Sequence, residues 1–252
     1  MARIFITGDT HGGWGGFSGE MKRFEKFRYK TGKELCKDDF LIIAGDFGFI
    51  WESSPDKDEI RWLKYFNERN YTTLFIDGNH ENFARLNAYK ITEFHGGKVH
   101  KISESVYHLM RGQVYELTGH KVLSMGGAAS IDREYRTQNI SWWEGENISE
   151  AELNEAYENL AKHDFSVDLV LSHTAPNSIA PKVLALNEFA LDFHDPNGDL
   201  LEEIYRKIKF KKWFFGHFHE ELFCVNSQFV TLWHDIVELK FESEKIKHLC
   251  VI

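Results

Sequence analysis

Cysteine and proline are scarce in this 252-residue chain, which has three Cys, at Cys36, Cys224 and Cys250, and four Pro. Thiols this far apart, without Cys-x-x-Cys spacing, exclude a zinc ribbon and a disulfide-stapled scaffold. Free thiols in a reducing cytoplasm are the simple expectation. No Pro-rich or Ser-rich stretch divides the sequence and no solenoid-period repeat occurs, so residues 1–252 read as one domain. No apolar run is long enough to span a bilayer, and the opening residues read as a strand rather than a signal peptide. Positive charge is short as well: 30 Lys and Arg stand against 39 Asp and Glu, for a formal net charge of −9. That balance argues against nucleic acid as a partner, because broad polynucleotide binding depends on basic surface displacing counterions. The densest basic stretch, Lys207, Lys209, Lys211 and Lys212, reads as a solvated helix end. Nothing in the sequence specifies an oligomeric state.

Apolar and aromatic residues are plentiful, with 21 Phe and 7 Trp in a hydrophobic share of 42%, enough to fill a sizeable core. Five β-rich runs each end in a short polar cluster. Ile4-Phe5-Ile6 precedes Asp9-Thr10-His11, Leu41-Ile42-Ile43 precedes Gly45-Asp46, and Leu74-Phe75-Ile76 precedes Gly78-Asn79-His80-Glu81. Leu169-Val170-Leu171 precedes Ser172-His173, and Trp213-Phe214-Phe215 precedes Gly216-His217-Phe218-His219. In α/β proteins ligands gather beyond the carboxyl ends of strands, so the five clusters are expected to converge. Carboxylate, imidazole and amide oxygen suit divalent first-row metals, whereas calcium prefers oxygen alone and structural zinc prefers thiolates. Asp9, His11, Asp46, Asn79, His173, His217 and His219 are more donors than one tetrahedral ion needs. With one carboxylate bridging, they fit two ions that keep positions open for water and substrate.

In order and spacing these clusters resemble the calcineurin-like metallophosphoesterase family, whose pattern runs Asp-x-His, Gly-Asp, Gly-Asn-His-Glu, a lone His and Gly-His-x-His. The resemblance covers residues 3–219. It implies an α/β fold, a four-layer αββα sandwich of two mixed β-sheets flanked by helices. It also implies a dinuclear phosphoesterase in which a metal-bound hydroxide attacks a phosphomonoester or phosphodiester. Asp9, His11 and His219 would hold one metal, Asn79, His173 and His217 the other, with Asp46 bridging and His80 as general acid. Such donors accept manganese, iron, zinc or nickel, of which manganese is expected. A small phosphoester or nucleotide ranks first as substrate, a phosphoprotein second and nucleic acid third. One position departs from the pattern. Many members carry Gly-Asp-x-x-Asp, whose second Asp orients the catalytic histidine, and here the segment reads Gly45-Asp46-Phe47-Gly48-Phe49. His80 therefore lacks its expected partner, with Glu81, Glu52 and Asp132 as alternatives. The same departure motivates a second reading, a metal-binding interaction module with weakened turnover.

The rest of the pattern places these clusters. Strands are expected at 3–7, 40–44 and 72–76, with helices at 19–29 and 57–69 between them, which indicates parallel βαβ units. Runs at 98–102, 105–109, 113–117 and 121–125 read as an antiparallel meander. Ser149 and Glu152 form a capping-box signature for a helix reaching about Lys162. A strand at 167–171, helices near 182–190 and 198–208, a strand at 212–215 and short strands near 221–225, 228–232 and 235–241 complete the chain. The loop from Gly126 to Arg136 offers Arg133 and Arg136 as phosphate-gripping substrate contacts. Trp142-Trp143 reads as buried packing. Asp77 either supports a ligand or is an ordinary strand-end carboxylate. The eight histidines outside the clusters read as surface or packing residues.

Overall fold

Where apolar β-branched and aromatic residues run without interruption, the chain forms strands buried on both faces, as parallel sheets require. The computed structural model describes residues 2–184, 193–221, 224–240 and 246–249. The first βαβαβ stretch consists of β1 (Ile4–Thr7), α1 (Met21–Lys30), β2 (Phe40–Ala44), α2 (Lys57–Asn67) and β3 (Thr72–Ile76). A short α3 (Phe83–Leu86) and β4 (Ile91–Phe94) follow, then β5 (Gly97–Lys101), β6 (Val106–Leu109), β7 (Gln113–Leu117) and β8 (His120–Met125). The second half contributes α4 (Glu150–Ala161), β9 (Leu169–Ser172), α5 (Ala180–Leu184), α6 (Pro196–Lys207) and β10 (Lys212–Phe215). Four short strands finish it: β11 (Cys224–Val225), β12 (Phe229–Thr231), β13 (Ile236–Leu239) and β14 (Ile246–Leu249). The helix expected near 182–190 starts earlier, at Ala180, and its residues 185–190 lie outside the described residues, as does Cys250.

Two mixed sheets result, one of eight strands ordered β14-β13-β1-β2-β3-β6-β5-β4 and one of six ordered β11-β12-β10-β9-β8-β7. In each, a parallel centre carries the clusters: β1, β2 and β3 in the first sheet, β9 and β10 in the second. The meander expected over 98–125 is instead two hairpins in different sheets, because β5–β6 and β7–β8 each pair antiparallel while β6 and β7 belong to separate sheets. Gly112, at φ 75°, stands where the chain passes between them. Local alternation specified the strands, but which sheet each joins is a long-range choice.

Three packed layers of side chains lie between four layers of structure. Ile4, Ile6, Ile42, Leu74 and Ile76 of one sheet meet Leu169, Leu171, Phe214 and Val230 of the other. The opposite face of the first sheet, Phe5, Leu41, Ile43 and Phe75, packs on Phe24 and Phe27 of α1 and on Trp62 and Phe66 of α2. The second sheet's outer face, including Val170, Trp213 and Phe215, packs on Leu153, Leu160, Leu201 and Ile204 of α4 and α6. This is the expected αββα sandwich.

Candidate metal centre

Gly45 makes the first close approach possible. It has φ 92°, and a Cβ there would stand 2.0 Å from His173 Nδ1, so only glycine lets the loop after β2 meet the residue after β9. Asp46 follows at φ 45°, and His11, His217 and His219 are also left-handed, at φ 41°, 67° and 52°. Four cluster residues in a sparsely populated region mark stored local strain, which surrounding contacts must hold in place. The amides of Thr10 and His11 donate to Asp46 O at 2.9 and 3.0 Å, and Gly216 N donates to His173 O at 3.1 Å. Buried Arg23 of α1 donates to the carbonyls of Gly8, Asp9 and Trp233.

These backbone ties bring the side chains of all five clusters together. Three sets of donor atoms lie within 4.8 Å of one another: Asp9, His11 and His219; Asp9, Asp46 and His173; and His11, Asp46 and His80. Asp46 Oδ1 accepts His80 N at 2.9 Å and stands 3.1 Å from His173 Nε2, while Asp46 Oδ2 is 3.4 Å from His11 Nε2. The His217 ring meets that of His173 at 5.1 Å, and its amide donates to Asp9 Oδ1 at 3.1 Å. Asn79 Nδ2 donates to Ser130 Oγ at 3.3 Å.

Divalent ions fit this arrangement. Asp9 Oδ2 and Asn79 Oδ1 are buried without a hydrogen-bond partner, an arrangement that costs about 1–3 kcal/mol per group unless something else is bound there. His173 Nδ1 donates to Ala44 O at 3.0 Å, which aims Nε2 at Asp46 and leaves it a lone pair for a cation once its proton departs. Burial alone would push the His173 imidazole down, yet Asp46 and then Asp9 carry it up to about 10. Burial likewise opposes ionisation of Asp46, but His173, His80 and His11 hold its carboxyl well below the usual range. The carboxylates are short of positive charge, and a proton on His173 stands where a cation would. Burial, with His173 alongside, lowers His217 to about 4, so that ring stays neutral as a ligand must be.

His80 has surroundings other than those expected. Its ring stacks on Trp51 at 5.5 Å and meets His11 edge-on at 5.2 Å. Arg136 Nη2 lies 3.4 Å from His80 Nε2 and Arg136 Nε is 2.8 Å from Asp132 Oδ1, so Asp132 reaches His80 only through the guanidinium. Glu81 instead accepts Gly48 N at 3.2 Å, and burial raises its carboxyl well above the ordinary value. Burial, against the pull of Asp46, lowers the His80 pKa, with His11 and Arg136 adding to the shift.

The two arginines part company. Arg136 joins the cluster, whereas Arg133 Nε donates to buried Glu146 Oε1 at 2.7 Å and its guanidinium lies 4.9 Å from the Trp142 ring. Glu146 accepts Ser130 Oγ at 2.8 Å, so Arg133 pairs with the carboxylate that holds Ser130, the partner of Asn79. Trp143 is buried, meeting Trp51 edge-on at 5.1 Å. Asp77 is no free strand-end group: Arg111 Nε donates to it at 2.8 Å and His108 Nε2 at 3.0 Å, and despite burial these partners hold its carboxyl far below the ordinary value. Two aromatic supports had no sequence signal, Trp51 beneath His80 and Trp233, which stacks on His219 at 4.9 Å.

The fold and the clustered donors define a metallophosphoesterase. A family profile described as calcineurin-like phosphoesterase matches residues 2–221, and the chain belongs to that family. Comparison with curated proteins gives no match. Among solved structures, a 2.05 Å crystal structure of a Staphylococcus aureus protein, provisionally described as a 5'-nucleotidase and holding α-ketoglutarate, aligns with TM-score 0.48 and 12% identity. The alignment covers 98% of this chain and 52% of that one, so the chain spans about half the length of that protein. Among the described residues no helix is long and apolar enough to cross a membrane.

Proposed function

We propose that the chain, acting as one domain, hydrolyses small phosphoesters at a dinuclear centre. Asp9, His11 and His219 would hold one divalent ion, Asn79, His173 and His217 the other, and Asp46 would be shared between them. The buried, unpartnered Asp9 Oδ2 and Asn79 Oδ1, in one cluster with His173 Nε2 turned to Asp46, carry this reading. When bound, such ions acidify water and neutralise charge on phosphoryl oxygens. Arg136, braced by Asp132 at 2.8 Å, presents a guanidinium beside the cluster and meets a phosphoryl oxygen there. His80 accepts from Arg136 through Nε2, so its proton sits on Nδ1 and the ring is neutral. A neutral imidazole bonds to the phosphate more readily than it protonates a leaving oxygen, which favours esters of acidic alcohols. Manganese is the expected ion and the cytoplasm the expected compartment.

Chelator-stripped protein reloaded with manganese tests the reading. Release of 4-nitrophenol from its phosphate or from the bis ester, with about two manganese ions per chain, is the expected result. Asp46→Asn loses metal, whereas His80→Asn keeps it and loses turnover. Metal retention without release from either ester, across manganese, iron, zinc and nickel, would instead support the interaction module suggested by Phe49.

A further inference from the structure

A cavity of about 590 Å³ opens directly off the cluster, sharing His11 and His80 with it. Its floor is the glycine loop 12–16, and Trp14, Trp51 and Trp62 stand around it. The volume lies in the range of small-molecule sites, and the position is where the alcohol portion of an ester held at His80 and Arg136 would project. The polar groups of its wall are mostly acidic: Glu52, Asp56, Asp58 and Glu59, with Arg61 as the one lining cation. Asp58 pairs with Arg61 at 3.2 Å and Glu59 with Arg85 at 2.6 Å, and Arg85 reaches Glu52 only at its backbone carbonyl, 2.9 Å away, so the Glu52 and Asp56 carboxylates pair with neither arginine. Asp56 caps α2 by accepting Glu59 N at 2.7 Å, and the helix dipole offsets about half a unit of that charge. The wall therefore keeps a negative potential beside a centre that attracts phosphate. The Arg61 guanidinium, 4.1 Å from the Trp62 ring and paired with Asp58, already demonstrates an organic cation seated between an aromatic ring and a carboxylate here.

We propose that this cavity is the leaving-group subsite and selects phosphate esters whose alcohol carries an organic cation, such as an ammonium group. The proposal rests on the phosphoesterase reading above. The centre takes the phosphate, Trp14 and Trp51 cover the alcohol, and Glu52 meets its positive charge. Trp14 lines the cavity and is 79% exposed, so its indole is open to contact with such a group. An alcohol bearing further phosphate or carboxylate meets the same wall with the opposite sign, so nucleoside polyphosphates and acidic phosphopeptides are disfavoured.

Two measurements on the intact, manganese-loaded protein decide it. The first compares kcat/KM for aryl phosphates of matched leaving-group acidity bearing a trimethylammonium or a carboxylate substituent, at low and high salt. The cationic ester is expected to lead by about tenfold or more at low salt, with the ratio shrinking towards unity in 0.5 M salt or in Glu52→Gln. The second follows tryptophan fluorescence as the free 4-hydroxyphenyl-trimethylammonium ion is added to metal-stripped protein, where saturable quenching, weakened in Trp14→Ala, is expected. Hydrolysis of both esters at equal rates, or a lead for the anionic one, overturns the subsite and leaves the phosphoesterase intact. Quenching without hydrolysis of any ester upholds the cation site and overturns the phosphoesterase reading. Absence of quenching overturns the subsite whatever the turnover.

Discussion

Phe49 meets Phe47 at 4.7 Å and Phe66 at 5.4 Å, buried in the layer between the first sheet and its helices. Its side chain belongs to that aromatic core and also lines the cavity beside His80. Restoring the family's carboxylate as Phe49→Asp therefore buries an unpaired charge among aromatic rings. The expected loss is at least about 3 kcal/mol, lowering Tm by roughly 6–12 °C in a protein of this size, with no gain in turnover. Differential scanning calorimetry beside a 4-nitrophenyl phosphate assay checks both halves; a stable, faster variant would show that position 49 does reach His80. With no carboxylate at position 49, His80 is held by the Trp51 stack, by Arg136 and by its backbone bond to Asp46. Loosening that hold should misplace the ring without disturbing the metal donors. Trp51→Ala is expected to lower kcat by about tenfold to a hundredfold while the metal content by elemental analysis stays unchanged. Because the His80 ring is neutral, kcat/KM should also fall steeply as the leaving phenol becomes less acidic, and a flat series across substituted aryl phosphates would restore His80 as an efficient acid.

The ends of the parallel strands do the positioning, and there backbone space matters more than side-chain chemistry. Gly78 at the end of β3 shows this. A Cβ at that residue would stand 2.1 Å from Asp46 Oδ1 and 2.5 Å from Asp46 N. Strand β3 itself is untouched, so Gly78→Ala should fold while its Asp46 carboxylate is pushed off the shared position. Manganese affinity is expected to fall by about tenfold or more in a chelator titration, with the far-UV spectrum unchanged; undiminished affinity would mean that Asp46 does not bridge. Most of this scale was legible in the sequence. The runs at 40–44, 72–76 and 212–215 form strands at those residues, and Ser149 and Glu152 close their capping box on α4. Those signals are local, a side-chain period or a reciprocal cap, and need no partner to be read. Strand β4, with its half-exposed Ile91–Phe94 pattern, and the division of β5–β6 from β7–β8 between sheets were not legible, since both depend on pairing with distant residues. The same holds for the site. Its donors are close in spacing to a known pattern, but Trp51, Trp233 and the turning away of Arg133 towards Glu146 arise only once separate loops meet.

Across the whole molecule, the buried polar groups form a second network on the far side of the 77–79 segment. His100 of β5 and His108 of β6 lie parallel, with Nδ1 atoms 2.9 Å apart, and His108 Nε2 donates to Asp77 Oδ1 at 3.0 Å. Arg111 joins Asp77 to the carbonyls of Gly145 and Asn147, and the Asp77 carbonyl accepts Gly127 N at 3.0 Å. One network thus fastens the first sheet to the loop that carries Ser130 and Arg136. Its hydrogen pattern follows from the carboxylate: His108 donates Nε2–H to Asp77, its Nδ1 accepts, and His100 supplies the Nδ1–H. Burial, and then the neighbouring His108, lowers His100 to about 4, with Asp77 opposing. The unfolded chain therefore binds more protons than the native one between about pH 4 and the ordinary imidazole value near 6.5. Stability should be full above that range and decline as pH falls through it, by on the order of 1 kcal/mol at pH 5 once solvent screening is allowed for from a separate cavity of about 290 Å³ that His100, His108 and Asp77 line. Urea midpoints measured at pH 7 and pH 5 on the wild-type chain and on His100→Gln separate this group from the rest. The variant cannot take up the proton, so its two midpoints should lie closer together than the wild-type pair, and an equal spacing would mean that His100 does not set the acid limb.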